Sequence, residues 1–298
     1  MKKLIISFLL LTSHLLFFTS VYAGEPPNRI VSLAPNITEI LFAMGLGERT
    51  VGVTNFCDYP NEARKKPKVG GIYNPSLEAV VSLEPDIVVM TTDGNTKEFE
   101  ERLRSLKIKT YVFKAKRLHE LPQGIRDLGI ALGVKEKAEG LSREIEKGLN
   151  KFKVRSHKLN LPFDPFKSPL SKGGFKGVKG EHGEIRVLFI VWPEPLIVAG
   201  SGTAIDDAIS LLGCENIAKG TYTSYPKYSV EEIIRKSPDV IFIGEGHMNM
   251  KETSRALLKK ISKVPAVKNG EVYYVSDSIY RLSPRVIKGI DEMARCLR

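Results

Sequence analysis

The chain has 298 residues, 42% hydrophobic and 27% charged, a balance that supports packed cores and a length that suits two lobes better than one average domain. The formal charge of +11 first suggests a nucleic-acid footprint, but the 45 Lys and Arg are interspersed with 34 Asp and Glu, so a solvated basic surface with no nucleic-acid partner is expected.

The first predicted element is a targeting segment. Lys2 and Lys3 form a basic start, and residues 4–18 are apolar apart from Ser7, Thr12, Ser13 and His14. Val21-Tyr22-Ala23 then places small residues where a signal peptidase reads, so cleavage is expected after Ala23. The apolar run falls short of the roughly 20 residues that span a bilayer, and no cysteine follows it to carry a lipid. The expected mature protein is exported and soluble, and loses two positive charges with the segment, leaving +9.

From Arg29 short β-branched runs alternate with amphipathic stretches. Residues 29–33, 51–53, 86–90 and 110–113 read as strands, and residues 36–44, 76–83 and 99–106 as helices. Asn36 and Ser76 are the expected caps of the first two helices. Residues 24–133 therefore form an N-terminal α/β lobe of parallel strand–helix–strand units. Between residues 134 and 156 the apolar positions Val134, Ala138, Leu141, Ile145, Leu149 and Phe152 are spaced three or four apart, one stripe on a single helix. From residue 134 to 152 that helix spans roughly 28 Å at 1.5 Å per residue, enough to link two lobes stiffly. Residues 157–183 have no period and are rich in Gly, Pro and Lys, the composition of an inserted flexible loop.

Residues 184–298 restart the pattern. Strands are expected at 186–191, 240–243 and 272–275, helices at 204–212 and 229–236, and a C-terminal helix opened by Pro284. The segment from Ser76 to Val88 matches that from Ser229 to Ile241 at a constant offset of 153, each a Ser-capped helix with a first-turn acid, then Pro-Asp, then a buried strand. Thirteen gapless positions of matching character indicate an internal duplication. Three cysteines remain: Cys214 and Cys296 share the second lobe and could pair, which would leave Cys57 as a free thiol.

Several stretches carry a resemblance to the helix-linked class of solute-binding proteins of ABC importers. They are residues 30–39, 51–54, 57–60, 69–71 and 75–78, then Pro85-Asp86, Ala199-Gly200, Tyr225-Pro226, residues 229–231, Pro238-Asp239, Ser276-Asp277 and residues 283–285. The class includes cobalamin, haem and ferric-siderophore receptors, and the corrinoid receptors are the most similar. The resemblance implies two Rossmann-like α/β lobes joined by one long helix, with a ligand cleft between them. It also implies a periplasmic monomer that needs no cofactor and carries a cobalt corrinoid, with a haem or siderophore as the alternative ligand. The partner is the importer's permease, which in this class receives one exposed glutamate from each lobe; these correspond to Glu78 and Glu231. Each is also an acid in a helix first turn, where the dipole alone favours it.

The cleft is expected at the C-terminal ends of the strands, which selects Pro35, Asn36, Phe56, Tyr59, Ile72, Tyr73, Trp192, Tyr225, Asp277 and Arg281 as ligand-binding residues. Aromatic faces with a few hydrogen-bond donors suit a broad disc with amide arms. Ile72 and Ser278 stand where cobalamin-binding members carry tryptophans. Trp192 is the only tryptophan and is equally consistent with a core position, and Arg281 with a surface salt bridge.

Catalysis has no sequence support. The histidines (His14, His119, His157, His182 and His247) form no HExxH pair or other metal-ligand spacing. There is no Gly-x-Ser-x-Gly elbow, and Gly200-Ser201-Gly202-Thr203 lacks the Lys-Ser/Thr end of a phosphate loop. An exported α/β enzyme using the cleft is the alternative of a different class.

Overall fold

A computed structural model describes residues 25–158 and 184–297, apart from residues 93, 222, 247 and 248. The expected signal segment 1–23 and the inserted residues 159–183 lie outside the described residues, as do His182 and His247.

The first lobe runs β1 (Ile30–Ser32), α1 (Pro35–Ala43), β2 (Thr50–Val53), α2 (Asn61–Arg64), α3 (Leu77–Ser82), β3 (Ile87–Thr91), α4 (Lys97–Ser105), β4 (Lys109–Phe113) and α5 (Leu121–Ala131). Its four strands are parallel in the order β2-β1-β3-β4. After the connecting helix α6 (Lys135–Lys158) come β5 (Arg186–Pro193), β6 (Leu196–Val198), α7 (Ala204–Leu211), β7 (Glu215–Asn216), α8 (Val230–Lys236) and β8 (Val240–Glu245). The chain ends with α9 (Met250–Thr253), α10 (Arg255–Lys260), α11 (Pro265–Lys268), β9 (Val272–Ser276), a 3₁₀ turn over Asp277–Ile279 and α12 (Val286–Cys296). β7, β5, β8 and β9 are parallel in that order, the same layout as the first lobe, with β6 added antiparallel beside β5.

The duplication extends to atomic detail. Ser76 Oγ accepts from the Ala79 amide and Ser229 Oγ from the Glu232 amide, each at 3.1 Å. Both segments pass through a left-handed residue, Glu84 at φ 42° and Ser237 at φ 44°. The aspartate that follows then fixes the first strand of its lobe. Asp86 accepts from the Arg29 amide at 2.8 Å and Asp239 from the Arg186 amide at 2.9 Å, while each arginine's guanidinium reaches back to a carbonyl of the preceding helix–strand link.

Local starts differ from the expected ones in two places. α1 begins at Pro35 with Ala34 as its cap, so Asn36 is already helical, because proline's fixed φ suits the first turn. α12 begins at Val286, two residues beyond Pro284, since the segment 281–285 is held by side-chain bonds described below.

α6 has 24 residues and extends past the expected bounds 134–156, for a length of roughly 36 Å. Its stripe is buried at Ala138, Ile145, Leu149 and Phe152. The first half packs on α5, where a Cβ on Gly129 would lie 2.1 Å from that of Ala138, so only glycine permits the approach. Arg126 of α5 bonds Glu139 at 2.8 Å and Glu146 at 2.9 Å on α6, and Ser142 donates to the Pro122 carbonyl at 2.8 Å. Farther along, Gly148 lies against Ile287 of α12. One apolar cluster therefore runs through both lobes, from Ile30 and Phe113 through Leu149 to Phe189, Phe242 and Ile290. Close packing over such a span resists hinge motion.

The disulfide left open by the sequence is not made. Cys57, Cys214 and Cys296 are free thiols. Cys214 is buried behind α7 with its Sγ directed at the Leu212 carbonyl, and Cys296 is half-buried at the end of α12. Burial pushes the Cys214 thiol up to about 12 and raises Cys57 and Cys296 as well. Because the thiolate is the nucleophile, alkylation of the folded protein at pH 8 is expected at Cys296 first, with Cys57 and Cys214 on the order of 100-fold slower until denaturant is added. Three equal rates in the native state, or a disulfide in the intact mass, would contradict this.

Candidate functional site

The ends of the parallel strands converge on a cleft of about 510 Å³ between the lobes. The first lobe contributes Pro35 and Asn36 after β1, Phe56 after β2, and Ile72 and Tyr73 before α3. Asn95 ties these loops together: its Nδ2 donates to the Leu33 carbonyl at 3.2 Å and the Ile72 carbonyl at 2.8 Å, while its Oδ1 accepts from the Thr91 amide at 2.9 Å. Gly94 lines the cleft at φ 121°, and a Cβ there would sit 2.6 Å from the Ile72 methyl, so Ile72 lies flat on the glycine.

The second lobe contributes residues 202–204 before α7, Ser224 and Tyr225 before α8, and residues 280–282. The glycine-rich turn there consumes its own donors. Thr203 caps α7 by accepting from the Asp206 amide at 3.0 Å, and Asp206 accepts from the Gly202 amide at 3.1 Å and from Asn216 at 2.9 Å. No donor array for phosphate is built from these groups. Tyr280 packs its ring over β8, where Gly244 makes room: a Cβ would lie 1.5 Å from its Oη. Burial, with Tyr225 and Asp277 nearby, raises the Tyr280 phenol well above its ordinary value, so it stays protonated in the cleft wall. Gly244→Ala is accordingly expected to displace this ring, at a cost of about 1–3 kcal/mol in stability and about tenfold in ligand affinity. Denaturant unfolding and calorimetry read both; two unchanged values would disprove the packing role.

A buried charge cluster, which reaches the cleft through Arg281, joins the lobes. Glu39, on α1, has a side chain only 1% exposed. Its carboxylate accepts from Arg281 at 2.9 Å, from Arg285 at 2.9 and 3.0 Å, and from Ser283 at 2.5 Å, all in the second lobe. Arg281 also meets Asp58 at 2.6 Å and Asp277 at 3.2 Å, and Arg285 meets Asp277 at 3.3 Å while lying 4.2 Å over the Tyr59 ring. Burial opposes the Arg281 charge, but bonds from Asp58 and Glu39 outweigh it and hold the guanidinium above its ordinary value. A second clasp joins the lobes: Arg117, after β4, forms a two-pronged pair with Asp207 on α7, whose other contact is the Leu118 amide at 2.9 Å.

Seven of the ten residues expected to bind ligand line the cleft: Pro35, Asn36, Phe56, Ile72, Tyr73, Tyr225 and Arg281. The other three do not. Tyr59 stacks beneath Arg285, and Asp277 serves the charge cluster. Trp192 belongs to β5, packs on the outer core of the second lobe and donates its Nε1 to the Glu194 carbonyl at 2.6 Å. Sequence reasoning missed Thr91, Gly94, Ala115, Lys116 and Thr203, although the strand-end rule, extended to β3, β4 and the turn before α7, points at all of them. It also missed Glu39, for which no local signal exists.

Glu78 and Glu231 lie outside the cleft, exposed in the first turns of α3 and α8, and neither makes an ion pair among the described residues. Among the described residues no group of three His, Cys, Asp or Glu side chains is arranged to hold a metal ion, and no helix is long and apolar enough to cross a membrane.

Comparison with known proteins places this geometry. The sequence model of the periplasmic binding proteins matches residues 30–160 and 176–278. The chain is 27% identical over 280 residues to the vitamin B12-binding protein of Vibrio parahaemolyticus, covering 93% of this chain and 92% of that protein. It is 28% identical over 241 residues to the vitamin B12-binding protein of Pectobacterium carotovorum, covering 81% and 79% respectively. Among solved structures, the periplasmic vitamin B12 binding protein BtuF of Vibrio cholerae superposes with a TM-score of 0.73 at 26% identity, over 91% of this chain and 97% of that one. The periplasmic heme-binding protein RhuT of Roseiflexus sp. RS-1 has the same fold, with a TM-score of 0.76 at 24% identity over 91% and 97%.

Proposed function

We propose, starting from the premise that the chain belongs to the periplasmic binding protein family, that it captures a corrinoid in the cleft between its lobes and delivers it to an ABC importer. The observation that carries this reading is the cleft wall itself. Of the eight large hydrophobic residues left exposed among the described residues, Phe56, Tyr73 and Tyr225 line the cleft and Tyr59 adjoins it. Exposed aromatics gathered in one crevice mark a binding surface. Between them the small residues Ala34, Gly94, Ala115, Gly202 and Ala204 leave room for a flat ligand to approach the backbone. The vitamin B12-binding relatives support the corrinoid assignment.

In this reading the protein works as a monomer, is exported by a cleavable signal, and returns its ligand unaltered, so it has no catalytic group. Glu78 and Glu231 are the docking acids for the permease, steering association and fixing orientation more than supplying affinity. A haem ligand is the second reading, favoured by the exposed Tyr73 in the cleft wall, since a tyrosine oxygen is an established axial ligand of haem iron.

Calorimetry of the mature protein, from residue 24, against cyanocobalamin, cobinamide, haemin and a panel of ferric siderophores tests the assignment. Saturable heat with a corrinoid, and recovery of that corrinoid unchanged on denaturation, is the expected result. Saturation by haemin or a siderophore with no corrinoid heat would replace it with the second reading.

A further inference from the structure

We infer that docking on the importer is made on each lobe by an acid and an aliphatic side chain together, Glu78 with Val81 and Glu231 with Ile234, against a partner that presents a cation beside an apolar recess twice. The inference rests on the binding-protein reading and adds an apolar contact to it.

The exposed hydrophobic residues divide in an informative way. Besides the four aromatics in and beside the cleft, Val81, Leu106, Ile130 and Ile234 are exposed. The duplication offset of 153, established from Ser76 to Val88, carries Val81 onto Ile234, at 39% and 49% exposure, whereas the offset of 163 that relates β4 to β9 carries Leu106 onto Asn269 and Ile130 onto buried Met293. Only the first pair recurs. In both helices the preceding residue, Val80 or Ile233, is fully buried, so the element is anchored and the next side chain is directed outward. The next position along is polar in each case, Ser82 or Arg235, as a solvated face should be. A half-exposed β-branched aliphatic there adds little to the core and is a poorer helix former than the alternatives, so folding gives only a weak reason for its recurrence.

The aliphatic and the acid are three residues apart and hence neighbours on one helix face. Neither acid has an ion-pair partner among the described residues, while the adjacent Glu232 is already engaged by Arg235 at 2.7 Å. Each patch therefore offers an unspent negative charge beside an apolar knob. Each patch follows a cleft residue closely along the chain. Glu78 follows the cleft residue Tyr73 by five positions, and Glu231 follows Tyr225 by six, which limits the separations to roughly 18 and 22 Å of chain. Two equivalent patches on one chain call for two equivalent receiving sites on the partner.

The division of labour follows from the chemistry. Exposed charge pairs set on-rate and orientation and weaken with salt, whereas burying an aliphatic group adds affinity that salt does not screen. The test uses the mature receptor and its cognate ABC importer in lipid nanodiscs, with affinity measured at low and high salt. Val81→Ser and Ile234→Ser are each expected to weaken binding about fivefold to tenfold, and the double variant roughly fiftyfold, with the salt dependence of the wild type retained. Glu78→Gln with Glu231→Gln is expected to flatten the salt dependence instead, and all variants are expected to keep wild-type cyanocobalamin affinity and thermal stability.

Binding by the double serine variant within twofold of wild type, alongside a weakened glutamine variant, overturns the inference and leaves acid docking intact. A large effect from one lobe only overturns the pair of equivalent receiving sites. A serine variant that also loses stability or ligand affinity shows the aliphatics to be structural, which overturns it too. No change from either double variant, or no binding by the wild type, removes the docking reading itself.

Discussion

Replacing Glu39 by alanine is expected to destabilise the mature protein by about 3 kcal/mol, at the lower end of the usual range for breaking a buried ion pair. The carboxylate is almost wholly buried and accepts from two guanidiniums and one hydroxyl of the opposite lobe. Its removal leaves Arg281 with Asp58 and Asp277, and Arg285 with Asp277 alone, so the arginines are under-compensated rather than orphaned. At 2–4 °C per kcal/mol for a chain of this size, Tm should fall by about 6–12 °C. Glu39→Gln, which preserves shape and part of the hydrogen bonding, should fall less. Differential scanning calorimetry decides, and a shift under about 2 °C for the alanine variant means the cluster does not hold the lobes together.

The second large effect concerns the ligand. Phe56→Ala and Tyr225→Ala remove one aromatic from each wall of the cleft. Truncating a central aromatic anchor typically costs 2 kcal/mol or more, about 30-fold in affinity per residue, so the double variant should lose on the order of a thousandfold for cyanocobalamin. Both side chains are about half exposed, at 48% and 49%, so unfolding should change by no more than about 0.5 kcal/mol. An affinity within threefold of wild type would place the ligand elsewhere on the surface. Paired with the Glu39 variants, this experiment separates a cleft that is misshapen from one that is merely unlined.

Those two predictions draw on different layers of information. Phe56 and Tyr225 were legible from sequence because each follows a strand or precedes a helix in a regular βα pattern, and the ends of parallel strands are where such loops gather. Trp192 satisfied a similar rule but does not line the cleft, since β5 continues to Pro193 and β6 pairs back onto it, which lays the half-buried indole against the core of the second lobe.

The amino-acid sequence by itself determined the strand–helix alternation, the duplicated lobes and the connecting helix. Those features depend on periodicities of two and 3.6 and on caps within a few residues, which are local properties. Only the tertiary structure decided that Glu39, unremarkable in its helix, meets Arg281, Ser283 and Arg285 at separations of 242, 244 and 246 residues. It also decided that Arg117 finds Asp207 across 90 residues. Nothing in local propensity encodes which of 34 acids will face which of 45 bases once the sheets are stacked, because a charge pair forms by where its backbones are carried, not by its neighbours in sequence.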